Sequence, residues 1–183
     1  MTPKLILPLD FIAIKMLSSK IRPATINDAL SIVKIRVRAL TEDEVSGFVV
    51  PGDNLYSSVD KLRSAWDRAN RLQDGSEVFV AECNGKIIGF IVLNMDHSDD
   101  NIDNVVVAKK EQGKGVGRAL VKYVEQLARS RGFSVLKTDT TENALGIPWK
   151  AYGFWKKMGY KDTGERIATD YGFKGIPLIK NLK

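Results

Sequence analysis

A strand of three valines followed by a glycine-rich turn and an amphipathic helix is the feature that most restricts how this chain can fold. Residues 105–107 are all valine, and the segment 112–118 reads Gln-Gly-Lys-Gly-Val-Gly-Arg. Leu120, Val124 and Leu127 then recur at helical spacing. The pattern predicts a buried strand, a tight turn and a helix in direct succession.

The predicted turn suits an anion. Glycines let the backbone turn sharply and approach a phosphate, and the first turn of the following helix adds free N–H groups and the positive end of its dipole. Lys114 and Arg118 add positive charge. The spacing GxGxG fits neither a P-loop nor the dinucleotide pattern GxGxxG. A phosphate site of another kind is therefore predicted, and a helix start with purely structural glycines stays the alternative.

The remaining sequence predicts an α/β fold with elements in the order βααβββαβαββ. Strands are expected at residues 19–24, 77–82, 86–94, 102–108, 133–138, 166–171 and 177–182. Helices are expected at residues 27–39, 57–72, 116–130 and 147–158. Asn84 and Gly85 are typical of a tight hairpin turn. At 183 residues, the chain has room for one domain, which we place at 19–183.

The first eighteen residues are interpreted as an N-terminal extension. Its apolar stretch is broken by Pro8, Asp10 and Lys15, so no run approaches the ~20 apolar residues of a membrane span. We therefore expect no membrane partner. Packing on the domain, contact with a second subunit of a homodimer and partial disorder all stay open for this extension.

Charge and rare residues limit the functional classes. The formal net charge of +6 favours an anionic partner, but the basic residues are scattered among acidic ones, which argues against a nucleic-acid interface. The single cysteine, Cys83, excludes an internal disulfide and favours a cytoplasmic location. With His97 as the only histidine, the usual Cys/His zinc clusters are excluded, and no metal is expected.

The turn resembles the acetyl-CoA signature of the GNAT superfamily, Q/R-x-x-G-x-G/A, which Gln112, Gly115 and Gly117 match. The segment 154–160, Phe-Trp-Lys-Lys-Met-Gly-Tyr, is similar to the ending fY-x-K-x-G-F/Y of that family. The resemblance covers residues 20–183. It implies a mixed, mostly antiparallel sheet of about seven strands, with helices on both faces and a splay between strands 4 and 5. It also implies transfer of an acetyl group from acetyl-CoA to a primary amine.

The resemblance implies a role for each part of the turn. The backbone amides would hold the CoA pyrophosphate, the valine strand would pair with the pantetheine arm, and the N–H of Val105 or Val106 would polarise the thioester carbonyl. The implied acetyl-CoA contacts are Val105, Val106, Val107, Gln112, Gly113, Lys114, Gly115, Val116, Gly117, Arg118, Asn143 and Trp155.

The sequence also offers candidates for the residues that accept and donate protons in the reaction. Asp103 shares strand parity with the valines if the strand is regular, and we predict it as the base; Asp139 and Glu142 are rivals. The family often uses a tyrosine as the acid, four residues before the closing Gly-aromatic pair. Trp155 stands there in this chain, so Tyr152, one helical turn earlier, is predicted as its substitute.

The predicted reaction is direct transfer without an acyl-enzyme, because no nucleophilic Cys or Ser is evident. The acceptor is a small amine such as a polyamine, or a peptide or protein amine. Its pocket is expected at the loop 41–56, where acidic residues cluster: Glu42, Asp43, Glu44 and Asp53. A catalytically inactive CoA-binding regulatory module is the alternative function, and a nucleic-acid-binding protein is a third.

Overall fold

A mixed sheet of ten strands lies at the centre of the protein, in a computed structural model that describes residues 19–45, 55–68, 71–96 and 99–183. The strands are β1 Ser19–Pro23, β2 Trp66–Arg68, β3 Arg71–Leu72, β4 Glu77–Cys83, β5 Lys86–Asp96, β6 Asp99–Val107, β7 Val135–Glu142, β8 Lys161–Asp162, β9 Ile167–Ala168 and β10 Lys174–Asn181. The helices are α1 Ala29–Val45, α2 Val59–Ser64, α3 Val116–Ser130 and α4 Lys150–Lys157. The predicted extension, residues 1–18, lies outside the described residues.

The strand order is β2-β3-β4-β5-β6-β7-β10-β8, with β1 paired to β4 and β9 paired to β10. Among the described strands, β6 and β7 form the one parallel pair. The predicted fold class is confirmed, although the sheet has ten strands rather than about seven, because short strands such as β3 and β8 carry no strong sequence pattern.

The central strand β5 divides the core into two halves. Ile91 and Leu93 pack on the side of α3 and α4, whereas Phe90 and Val92 pack on the side of α1 and α2. This alternation follows from the two-residue period of side chains in a strand. Helices therefore cover both faces of the sheet.

Local signals fix two of the connections. Asn84 and Gly85 both have positive φ (50° and 71°) in the β4–β5 turn, as a two-residue hairpin requires. Helix α3 ends in a Schellman motif, in which the N–H of Phe133 bonds to the carbonyl of Ala128 and the N–H of Gly132 bonds to that of Arg129, both at 3.0 Å. The predicted hairpin and the predicted helix are both confirmed.

The prediction of one helix over residues 57–72 is wrong. Helix α2 ends at Ser64, and the chain returns as the short hairpin β2–β3, which extends the sheet beside β4. The N–H of Gln73 bonds to the carbonyl of Ala65 and so holds the return. Sheet pairing here outweighs the helical spacing of the apolar residues. Helix α1 also continues to Val45, so the predicted loop 41–56 begins later than expected.

The sheet opens between β6 and β7. Their parallel pairing is limited to Asn101 with Lys137 and Ile102 with Thr138. The buried Thr138 hydroxyl donates to the Ile102 carbonyl at 2.9 Å. Beyond this point the two strands diverge, and we call the opening between residues 103–107 of β6 and residues 139–142 of β7 the fork.

Replacement of Thr138 by valine is expected to lower the free energy of unfolding by about 1–3 kcal/mol, because the Ile102 carbonyl loses a buried hydrogen-bond donor. Thr138→Ser keeps the hydroxyl and serves as the control. Denaturant unfolding of both variants measures the difference. A larger loss in Thr138→Ser than in Thr138→Val would assign the effect instead to packing of the methyl group, which valine keeps and serine lacks.

Candidate functional site

Two adjoining cavities lie in and beside the fork. The first has a volume of about 390 Å³ and runs from the valines of β6 to the glycine turn and the start of α3. The second, of about 310 Å³, is lined by β6, β7, α1 and α4. Both are lined by Val105, Val106 and Phe154, so a molecule lying along β6 can reach from one cavity into the other.

The main chain of β6 turns two N–H groups towards the fork. The N–H of Ala108 bonds to the Ile88 carbonyl of β5 at 2.9 Å. Because successive N–H groups of a strand point to opposite edges, the N–H of Val106 also faces β5, and those of Val105 and Val107 face the fork. The Val107 carbonyl, on the same open edge, accepts from Gln112 Nε2 at 3.1 Å.

The glycine turn brings further main-chain donors to the same cavity. Gly113 and Gly115 have φ of 76° and 84°, a region in which other residues are strained. This path lets residues 112–115 turn directly into α3, whose first-turn N–H groups have no helical partner. The side chain of Arg118 also lines the cavity. Free N–H groups, a helix N-terminus and a guanidinium fit a diphosphate.

The second cavity is the polar part of the site. It is lined by Asp103, Asp139 and the buried Arg36 together with apolar and hydroxyl side chains. Its position beside the fork places these charged groups next to the end of the first cavity that lies farthest from the glycine turn.

Residues 74–162 match the family described as "Acetyltransferase (GNAT) domain". This segment of the chain is thus similar to the GNAT acetyltransferases. The chain is 32% identical to a peptidyl-lysine N-acetyltransferase of Salmonella typhimurium over 50% of this chain and 54% of that protein. It is also 32% identical to an uncharacterized N-acetyltransferase of Methanocaldococcus jannaschii, over 57% of this chain and 64% of that protein.

The fold agrees with this assignment. The structure of the PaiA N-acetyltransferase of Thermoplasma acidophilum in complex with coenzyme A has a TM-score of 0.64 at 16% identity, with 87% of this chain and 98% of that chain covered. The predicted resemblance to the GNAT superfamily is confirmed. The chain spans about half the length of the curated relatives it matches.

Most residues predicted to contact the cofactor lie together in the first cavity. Those that line the first cavity are Val105, Val106, Val107, Gln112, Gly113, Gly115, Val116, Gly117 and Arg118. Lys114 is not among the lining residues, because its ammonium group bonds to the Lys110 carbonyl and to the Glu111 carboxylate.

Two other residues that were predicted to contact the cofactor, Asn143 and Trp155, do not line the first cavity. The Asn143 side chain lines neither cavity; its Oδ1 accepts from the N–H groups of Leu145 and Ile147, both at 3.0 Å, and so holds the turn after β7. Trp155 lines the second cavity rather than the first, and packs edge-on against Phe154 and Tyr160. The geometry gives Asn143 a structural role and places Trp155 in the wall of the second cavity.

The structure does not place Tyr152 in either cavity. Helix α4 turns Ala151 and Phe154 towards the fork, and Tyr152 points away from it. The Tyr152 hydroxyl donates to Asp162 Oδ2 at 3.0 Å, and this bond raises the pKa of the phenol. Arg166, which hydrogen-bonds Asp162, lowers the pKa of that carboxyl to about 2. The geometry therefore does not support the predicted role of Tyr152 as the acid.

Asp103 lines the second cavity, but the strand there is irregular. Val92 pairs with Asn104 and Leu93 pairs with Ile102, so Asp103 is the extra residue of a β-bulge. The parity with Val105 on which its prediction rested is broken at this point. Burial raises the pKa of Tyr56, and the charges of Asp74 and Asp103 raise it further.

Several residues of the site were missed in the sequence. Trp149, Ala151 and Phe154 line both cavities, and Arg36 lines the second. The three-residue spacing of Ala151 and Phe154 on α4 is a signal that could have identified this face. Arg36 has no such signal, because a charged residue within a helix is usually solvated.

Two classes of feature are absent from the described part of the chain. None of its helices has the length and apolarity needed to cross a bilayer. Within the same residues, no three His, Cys, Asp or Glu side chains are grouped so that they could hold a metal ion. His97 and most of the acidic loop predicted for the acceptor lie outside the described residues or have side chains that are not described.

A pair of substitutions at Gly115 tests the glycine turn. Asparagine tolerates positive φ and adds no charge, whereas aspartate has the same shape and a negative charge. Gly115→Asp is expected to weaken binding of CoA by at least about a hundredfold relative to Gly115→Asn, which corresponds to about 2.8 kcal/mol. Calorimetric titration with CoA measures both. Equal affinities would contradict a phosphate site at this turn.

Replacement of Tyr152 by phenylalanine tests its role in the reaction. Because its hydroxyl contacts Asp162 outside the cavities, the variant is expected to keep its rate of thiol release from acetyl-CoA within about threefold. An acid that protonates the leaving group would contribute about a hundredfold or more. A loss of that size in Tyr152→Phe, with unchanged CoA affinity, would restore the catalytic role predicted from the sequence.

Proposed function

We propose that this protein is an acetyl-CoA-dependent N-acetyltransferase that moves an acetyl group directly to a primary amine. The observation that carries the proposal is the fork, where the free N–H groups of Val105 and Val107 continue into the glycine turn and the N-terminus of α3. A single strip of main-chain donors thus runs from a diphosphate site to the polar cavity. This layout suits a long molecule with a phosphate group at one end and a reactive carbonyl at the other.

Acetyl-CoA fits this strip in one direction. The pyrophosphate lies at residues 112–118, where main-chain N–H groups and Arg118 neutralise its charge. The pantetheine arm carries amide groups that pair with the open edge of β6 as an added strand would. The acetyl group then reaches the point where the first cavity meets the second. Phe154 and Trp149 line this junction.

The Val105 N–H is the donor that polarises the thioester carbonyl. It points into the fork and has no strand partner there, because the β6–β7 pairing ends at Ile102. A donor fixed in this way is already oriented when negative charge develops on the oxygen in the transition state. Removal of one such donor in other enzymes costs about 3 kcal/mol.

The transfer needs no covalent enzyme intermediate. A neutral amine nitrogen attacks the carbonyl carbon, the C–S bond breaks, and the nitrogen gives up a proton to a base while the thiolate takes one up. Cys83, the only cysteine, is buried in the core on the side of α3 and lines neither cavity. Asp103, the base predicted from the sequence, lines the second cavity and is a candidate for the proton acceptor.

The acceptor class is a primary amine, either a small molecule such as a polyamine or an amine of a peptide or protein. The matched protein of Salmonella typhimurium is named a peptidyl-lysine N-acetyltransferase, which supports the inclusion of lysine peptides. The single cysteine favours a reducing compartment such as the cytoplasm. A homodimer stays a prediction from the sequence.

An amine-panel assay tests the proposed function. Thiol release from acetyl-CoA is followed with spermidine, glucosamine, a lysine-containing peptide and a peptide with a free N-terminus. Release above the rate without amine, with acetylated amine found by mass spectrometry, is the expected result. Tight CoA binding without release for any amine would instead favour the inactive CoA-binding module. Acetylation trapped on Cys83 would contradict direct transfer.

A further inference from the structure

The apex of the fork carries two carboxylates, one on each strand. The last paired residues are Ile102 of β6 and Thr138 of β7. Asp103 and Asp139 follow these residues directly, so they occupy equivalent positions at the point where the strands separate. Both line the second cavity. Both carboxylates therefore belong to the wall of one cavity.

Asp139 differs from the other carboxylates of the sheet. Glu77 pairs with Arg131, Glu82 with Arg22, and Glu142 with Arg166, all within 2.9 Å. In the described part of the chain, no side chain forms a hydrogen bond or an ion pair with Asp139. The Asp139 carboxylate thus lines the cavity and forms no hydrogen bond or ion pair with a side chain of the described residues.

The surroundings of Asp139 favour its protonated form. The Asp139 side chain is exposed to solvent, and partial loss of hydration beside the cavity raises the pKa of its carboxyl. The charged groups that line the same cavity are Arg36 of α1 and Asp103 of β6; α4 contributes apolar and aromatic side chains only. On β7, Lys137 and Thr141 flank Asp139 on the same face of the strand.

Asp103 is in a different situation. It is the bulge residue of β6, it interacts with other groups of the protein, and its charge acts on Tyr56 on the side of α1 and α2. Asp103 thus interacts with other groups of the protein, whereas no side chain pairs with Asp139 in the described part of the chain.

We propose that Asp139 is the proton acceptor for the amine and that Asp103 draws the ammonium form into the cavity. This assignment rests on the proposed function and replaces Asp103 as the base. One proton passes from the ammonium nitrogen to a carboxylate oxygen of Asp139, and the freed lone pair forms the C–N bond as the C–S bond breaks. The nitrogen, now bonded to the acetyl group, loses a second proton to solvent, and the thiolate takes one up from solvent. Asp139 returns its proton to solvent, so each turnover releases one proton in total and leaves Asp139 ionised again.

If Asp139 is the proton acceptor, the variants Asp139→Asn and Asp103→Asn should change different kinetic constants. Asp139→Asn removes the proton acceptor and is expected to lower kcat by about a hundredfold or more. Asp103→Asn removes a charge from the same cavity and is expected mainly to raise KM for the amine. Kinetics use the fastest amine of the panel described above. Asp170→Asn, an exposed carboxylate outside the cavities, is the control and should behave as wild type.

The pH dependence of kcat distinguishes a catalytic role of Asp139 from a structural one. In the wild type, kcat rises with pH as Asp139 loses its proton, at a pH above the ordinary range of aspartate because its pKa is raised. This limb should vanish in Asp139→Asn and persist, at a lower rate, in Asp139→Glu. CoA affinity should stay within about twofold in each variant, since the cofactor lies along the first cavity.

Stability gives an independent test that needs no turnover. A carboxyl whose pKa is raised by folding costs stability once the pH exceeds its pKa in the unfolded chain, and the full cost is reached above its pKa in the folded protein. Asp139→Asn should therefore unfold at a higher temperature than wild type at neutral pH. The two proteins should have the same midpoint below the ordinary pKa of aspartate.

The outcomes separate the two proposals. If Asp139→Asn keeps kcat within about threefold and retains the acid limb, Asp139 is not the proton acceptor, although the acetyltransferase itself stands. If the loss of kcat appears in Asp103→Asn instead, the base predicted from the sequence is correct. If the wild type binds CoA but acetylates no amine of the panel, the proposed function fails, and the assignment of Asp139 fails with it.

Discussion

The short parallel pairing of β6 with β7 is the constraint on which the site depends. Two residue pairs and one buried hydroxyl, that of Thr138, hold the strands together at the apex. Continued pairing would close the open edge of β6 with backbone hydrogen bonds. Because the pairing stops, the N–H groups of Val105 and Val107 stay available, and the space between the strands becomes two cavities. The site is thus a place where the sheet is left incomplete.

The parts of the fold that depend on local chemistry were predictable. The Asn84–Gly85 turn and the helix after the glycines follow from residues a few positions apart. The hairpin β2–β3 was not predictable, because Leu62, Ala65 and Trp66 also have helical spacing and only pairing with β4 decides between the two structures. Local pattern cannot report an interaction with a strand that comes later in the chain.

The two cavities of the site also differ in how far their residues lie apart in the sequence. The glycine turn is a contiguous segment, so its residues and their role could be predicted together. The second cavity is lined by residues of α1, β6, β7 and α4. The bulge at Asp103 depends on its register against β5, and the lack of a side-chain partner for Asp139 among the described residues depends on how several elements pack around it. Neither property is encoded in the residues that flank these aspartates.

The donors that face the fork belong to the polypeptide backbone, and this has an evolutionary consequence. Any residue other than proline that keeps the strand extended supplies the same N–H group as Val105. Side chains along β6 can therefore be substituted without loss of this main-chain donor. In the proposed enzyme, side chains that could contact the acceptor stand on other elements, such as Arg36 on α1, which lines the second cavity. New substrate preferences can therefore arise by exchange of these side chains while the reaction centre is inherited unchanged.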